Sequence, residues 1–120
     1  MRNKTLIIGA STNPERYSYK AAEKLLAHNH EIYMIGNRAG VLFGNEITKN
    51  HPAYTDVDTV TMYVSAKNQT SYYDYIISLK PRRVIFNPGT ENKEFAKQLE
   101  EHGIIAEEAC TLVLLSTNSY

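Results

Sequence analysis

A doubly wound α/β domain, with a mainly parallel five-stranded sheet and helices on both faces, is what the sequence predicts, on three observations. Short apolar or β-branched runs recur along the chain, each too short for a helix. Between them lie stretches whose apolar residues sit three and four positions apart. Polar loops with Gly, Pro, Asn or Ser follow the strand-like runs, and this alternation builds βαβ units with right-handed crossovers. At 120 residues the chain fits one domain, read as residues 1–120 without repeat, linker or low-complexity segment.

The first strand is Thr5-Leu6-Ile7-Ile8-Gly9, nearly all apolar as in a strand buried on both faces. A polar loop with Pro14 leads to a helix over Tyr19 to Ala27, where Ala21, Ala22, Leu25 and Leu26 make a sheet-facing stripe and Ser18 is the expected N-cap. Glu31-Ile32-Tyr33-Met34-Ile35 is the second strand, ended by Gly36-Asn37-Arg38-Ala39-Gly40. Val41 to Tyr54 reads mostly as loop. Thr59 to Val64, dense in β-branched and aromatic residues, is the third strand. A helix is expected over Asn68 to Lys80, with Tyr72, Tyr75, Ile76 and Leu79 on one face and Pro81 as its stop. Arg83 to Phe86 is the fourth strand, cut by Asn87-Pro88-Gly89. Glu91 to His102 is a third helix that packs through Phe95, Ala96 and Leu99, with Gly103 beyond its end. Ile104-Ile105-Ala106 is a brief fifth strand, and Thr111 to Leu115 an apolar tail in strand or short-helix form.

Thirteen basic residues balance 13 acidic ones, so the chain lacks the broad positive surface that nucleic acid or an anionic membrane attracts. No apolar run is long enough for a membrane span, and Met1-Arg2-Asn3-Lys4 enters the first strand without a secretory cleavage pattern, so a cytoplasmic protein is expected. Cys110, the one cysteine, forms no internal disulfide.

Ligands of open α/β sheets bind at the carboxyl ends of the strands, where the strand order reverses. The loop from Ala10 to Ser18 runs from a strand into a helix, whose free N–H groups attract an anion. Ser11, Thr12, Asn13 and Ser18 add donors and Arg16 a charge, a set suited to a phosphate or diphosphate. The bland reading is an ordinary polar loop with Ser18 capping the helix. Gly-x-Gly-x-x-Gly is absent, since Gly9 alone fills a glycine position. Where an NAD site places an acid on the ribose, after the second strand, this chain has Gly36-Asn37-Arg38. Arg38 suits a phosphorylated ribose, as in NADP or coenzyme A, unless it is a plain solvated charge. Asn87-Pro88-Gly89-Thr90 either lines the same crevice from the other side or is a simple turn.

Together, Gly9-Ala10-Ser11, Ile35-Gly36-Asn37-Arg38, Tyr63-Val64-Ser65, Asn87-Pro88-Gly89 and Glu108-Ala109-Cys110 resemble the CoA-binding protein family, from Lys4 to about Leu115. Its members are small stand-alone relatives of the nucleotide-binding domain of succinyl-CoA synthetase α subunits. The resemblance implies a Rossmann-like three-layer fold with coenzyme A across the strand ends. It implies that Ala10, Ser11 and Thr12, with Arg16 and Ser18, meet the phosphates, and that Asn37 and Arg38 stand near the ribose and its phosphate. Val64 and Ser65 would border the adenine or pantetheine path, and Asn87, Pro88 and Gly89 the far wall. The chain departs from the family pattern at Asn87, where many members carry Gln, and at Ala109, where many carry Arg.

In the synthetases a phosphorylated histidine of a separate domain does the chemistry. Here His28, His30, His51 and His102 have no metal-ligand spacing. Cys110 follows Glu107 and Glu108, whose charges raise a thiol pKa, and reads as a buried structural thiol. Tyr72, Tyr73 and Tyr75 read as helix packing plus a surface patch able to support a homodimer. The expectation is a noncatalytic protein that binds coenzyme A or an acyl-CoA, to sense, store or present the thioester. The alternatives are a small NADP-dependent oxidoreductase and a ligand-free interaction or regulatory module.

Overall fold

The computed structural model describes residues 3–120; Met1 and Arg2, the start of the segment read above as lacking a leader, lie outside them. The elements are β1 (Thr5–Ile8), α1 (Tyr17–Ala27), β2 (Ile32–Ile35), β3 (Gly40–Leu42), β4 (Asn45–Thr48), β5 (Thr59–Met62), α2 (Tyr73–Leu79), β6 (Arg83–Phe86), α3 (Lys93–Glu101), β7 (Ile105–Glu108) and α4 (Thr111–Ser116). The strands form one sheet in the order β3-β4-β2-β1-β5-β6-β7, parallel throughout except for the β3–β4 pair. The expected α/β architecture is present with seven strands in place of five.

The two additional strands lie where the sequence reads as loop. Phe43 and Gly44 both adopt left-handed backbone, with φ of 51° and 77°, and so make the tight turn whose twist matches a hairpin. Leu42 and Ile47 are buried while Val41 and Glu46 face solvent, the alternation of a half-covered strand. β4 then continues the sheet parallel to β2, with Met34 beside Ile47 and Ile35 beside Thr48.

Alternate residues of β1 feed two cores. Leu6 and Ile8 pack with Tyr73, Ile76, Phe95 and Leu99 of α2 and α3. Ile7 packs on the other face with Ala22 and Leu25 of α1 and Leu115 of α4. Each large side chain so buried contributes about 1.5–3 kcal/mol. The link from β4 to β5 has no helix; Tyr54 stacks on Tyr33 at 4.0 Å and Tyr75 Oη donates to the Pro52 carbonyl at 2.6 Å, so a loop covers β2 instead. His51 sits against Tyr72 and Tyr75, while Tyr73 is buried on Phe95 at 4.2 Å. Among the described residues no helix is long and apolar enough to cross a membrane.

Three helix boundaries differ from expectation. α1 begins two residues early with Arg16 as N-cap, which leaves Ser18 buried in its first turn instead of capping it. The helix expected from Asn68 starts at Tyr73, after two 3-10 turns at Ala66–Asn68 and Thr70–Tyr72. α3 starts at Lys93 because Asn92 caps it, its Oδ1 accepting from the Phe95 N–H at 3.0 Å.

At the amino ends of the strands Tyr120 is drawn against the start of β1. Tyr120 Oη and Thr5 Oγ1 are 2.6 Å apart, and the Tyr120 ring packs on Arg83 and on His30. His30 is buried and its Nδ1 accepts from the Asn3 N–H at 2.7 Å, a bond that needs the neutral ring. Burial first, then the charges of His28 and Arg83, hold its pKa below the ordinary 6.5, against an opposing pull from Asp58. A lowered folded-state pKa means that the unfolded chain takes up the proton first as pH falls. His30 thus leaves stability undiminished above about 6.5 and lowers it progressively as pH drops through the folded-state value. Urea midpoints at pH 7.5 and 5.5 should show a loss on acidification that is smaller in His30→Gln; equal losses would remove His30 as the cause.

Candidate functional site

The order of strands places β1 between β2, reached by the first crossover, and β5, reached by the later one. The loops after these three strands therefore diverge around a crevice. Two glycines let them approach. Gly9 has φ +94°, and a Cβ there would lie 3.0 Å from the Tyr63 carbonyl. A Cβ on Gly36 would lie 2.4 Å from the Ala10 carbonyl oxygen. The Gly9 and Ala10 N–H groups both donate to the Ile35 carbonyl at 2.9 Å, and Tyr63 N–H donates to Ile8 at 2.9 Å, which locks the three loops to one another.

The resulting cleft encloses about 600 Å³. From β1 it takes Gly9, Ala10, Ser11, Thr12, Asn13 and Arg16; from β2, Asn37, Arg38 and Ala39; from β5, Tyr63, Val64, Ser65 and Asn68. Of the residues named from sequence, Ala10, Ser11, Thr12, Asn13, Arg16, Asn37, Arg38, Val64 and Ser65 meet here. Tyr63 and Asn68 join them without having been singled out as ligand contacts. Tyr63 sits in the Tyr63-Val64-Ser65 motif, which is its signal; Asn68, read as the start of a helix, carries none.

The first loop is organised by its own side chains. Ser11 Oγ accepts from the Asn13 N–H at 3.0 Å and Asn13 Oδ1 from the Glu15 N–H at 3.0 Å, which turns the chain into α1. The Ser11 hydroxyl proton and the Asn13 amide hydrogens are left available as donors. Arg16 and Arg38 are exposed, one on each bank, and neither forms an ion pair among the described residues. No carboxylate contributes to the lining. In a chain of zero net charge, this cleft is locally cationic. Beneath it, burial pushes the Tyr63 phenol up to about 12, beside Thr61 and Thr111, so it stays protonated.

Ser18, Asn87, Pro88 and Gly89 do not line this cleft. Asn87 is 2% exposed, and its amide is turned inward. Its Nδ2 donates to Thr61 Oγ1 at 2.7 Å and to the Met62 carbonyl at 2.8 Å, while its Oδ1 accepts from the Thr111 N–H at 2.9 Å. Pro88 and Gly89 are exposed on the loop after β6. Cys110 is half-buried at the N-cap of α4, rather than fully enclosed.

Comparison with known proteins matches residues 3–116 to a family described as the CoA binding domain. A crystal structure of an uncharacterized protein is 48% identical with a TM-score of 0.98, covering 100% of this chain and 99% of that one. A hypothetical protein from Pyrococcus horikoshii OT3 is 24% identical with a TM-score of 0.88, covering 97% of this chain and 83% of its own. The structure of cell-free ID.343 from Thermus thermophilus is 20% identical with a TM-score of 0.86, covering 98% and 91%. These last two share the fold. No curated protein matches the chain.

Proposed function

The chain belongs to the CoA binding domain family, and from that premise we propose that its cleft binds coenzyme A or an acyl-CoA in a noncatalytic role, sensing, storing or presenting the thioester. The observation that carries the reading is the pair of unpaired guanidiniums, Arg16 and Arg38, facing a carboxylate-free cleft across a donor-rich loop. In this reading the diphosphate lies on Ser11, Thr12 and the start of α1, where N–H groups and the helix dipole favour negative charge. Arg38 pairs with the phosphate on the ribose through charge-assisted hydrogen bonds, and Asn37 flanks the sugar. Val64 and Ser65 border the path at the other end. The lining of hydroxyls, amides and guanidiniums is a set that holds an anion, which supports binding over chemistry.

Arg38→Ala should weaken coenzyme A binding by about 1–3 kcal/mol and leave dephospho-CoA nearly unaffected. Titration calorimetry with both ligands reads this directly. Equal losses for the two would remove Arg38 from the ribose phosphate. NADP carries a ribose phosphate too, so Arg38 also supports the oxidoreductase alternative. A melting-temperature shift with NADPH and none with coenzyme A would select it.

A further inference from the structure

We propose that Gln69 is a positioning residue of the cleft, its buried amide fixing the Val64–Ser65 bank before any ligand arrives. The proposal rests on the coenzyme reading above, since it concerns the same cleft. Gln69 lies between the two 3-10 turns after β5 and is fully buried, outside the cleft lining. Its Nε2 donates to the Val64 carbonyl at 2.8 Å and to the Thr90 carbonyl at 2.7 Å. Its Oε1 accepts from Asn92 Nδ2 at 3.0 Å. Asn92 also donates to Tyr73 Oη at 2.8 Å while capping α3. One side chain thus joins the loop after β5, the loop after β6 and the first turn of α3.

Before Ser65 the bank is tied to the body by the Tyr63 N–H bond to the Ile8 carbonyl at 2.9 Å and by Val64 packing on the core. Across Ser65–Asn68 the bonds are internal: Asn68 N–H to the Ser65 carbonyl at 2.9 Å and Asn68 Nδ2 to Ser65 Oγ at 3.0 Å. Such a turn holds its own shape but not its place. Beyond its tie to β1 at Tyr63, its place is set where Val64 meets Gln69, and through Thr90 and Asn92 that point is referred to β6 and α3. Preformed walls raise affinity because the ordering cost falls on folding, not on association.

The test uses Gln69→Met, which keeps the length and removes every side-chain hydrogen bond of Gln69, and Asn92→Asp, which keeps the α3 cap and removes the donor to Gln69 and Tyr73. Coenzyme A affinity should fall roughly tenfold or more in Gln69→Met and less in Asn92→Asp. Amide hydrogen exchange should quicken across residues 64–68 and stay unchanged at Asn37 and Arg38. In double-mutant cycles on affinity, Gln69→Met should be non-additive with Ser65→Ala and additive with Arg38→Ala. Unchanged affinity, or a loss additive with both, would overturn the proposal, and Asn92→Asp is judged by the same criteria if Gln69→Met does not fold. If the wild type binds no coenzyme A, the coenzyme reading fails. Exchange across residues 64–68 then decides the role of Gln69 alone, and unchanged exchange there overturns it.

Discussion

Gly36→Ala is expected to destabilise the protein by about 2–4 kcal/mol and to abolish ligand binding where the variant still folds. The added methyl would stand 2.4 Å from the Ala10 carbonyl oxygen and 3.1 Å from Ile47 Cγ2. A flexible side chain could swing aside, but the closest atom is backbone, and that backbone is fastened to β2 through the Ile35 carbonyl. Relief requires β1 and β2 to part where their loops form the cleft. Against a total stability of roughly 5–15 kcal/mol, the urea midpoint should drop clearly. Gly40→Ala is the control, because a Cβ there makes only ordinary contact with Thr12 Cγ2 at 3.5 Å. Equal midpoints for Gly36→Ala, Gly40→Ala and the wild type would mean that the close approach does not exist.

Asn87→Ala should cost a similar amount, about 2–4 kcal/mol, by a different route. Truncation takes the Asn87 partner from the Met62 carbonyl and the Thr111 N–H in the interior, and leaves the Thr61 hydroxyl with the Thr111 hydroxyl alone. Asn87→Asp keeps the shape and separates polarity from packing. Its carboxylate can still accept from Thr111 but faces the Met62 carbonyl oxygen without a proton to donate. Burial raises the pKa of the introduced carboxyl above its unfolded value, so its neutral form is favoured in the folded state. Relative to the wild type at the same pH, the Asn87→Asp deficit should therefore be large at pH 7.5 and shrink toward pH 4.5. A deficit independent of pH would place the side chain in solvent.

Most strands and the helix faces were legible because burial imposes a period. The run from Leu6 to Ile8 is apolar since both faces of β1 are covered, and Phe95 and Leu99 mark one side of α3. β3 and β4 give no such signal because they are only partly covered, so Leu42 and Ile47 are buried apolar residues isolated among polar or exposed ones. Their turn also places Phe43, an aromatic, at positive φ, where glycine or asparagine would have been the visible signal. In the cleft, the location of Gly36-Asn37-Arg38 and the Ser11 loop was legible, since strand ends in an open α/β sheet announce a place. Asn87 and Gln69 were not. An amide beside proline and glycine looks like a loop residue, and sequence carries no sign of which way it points. The 3-10 turns that carry Gln69 were hidden in the same way, because their residues suit an α-helix equally well.

The bridge between β2 and β3 comprises only residues 36–39, and both of its ends are pinned in the same sheet. Arg38 is therefore carried on a short span fixed at both ends, with the hairpin as its far abutment. The segment with the least chemistry in it, Val41 to Thr48, thus anchors one end of the loop that brings a cation to the cleft.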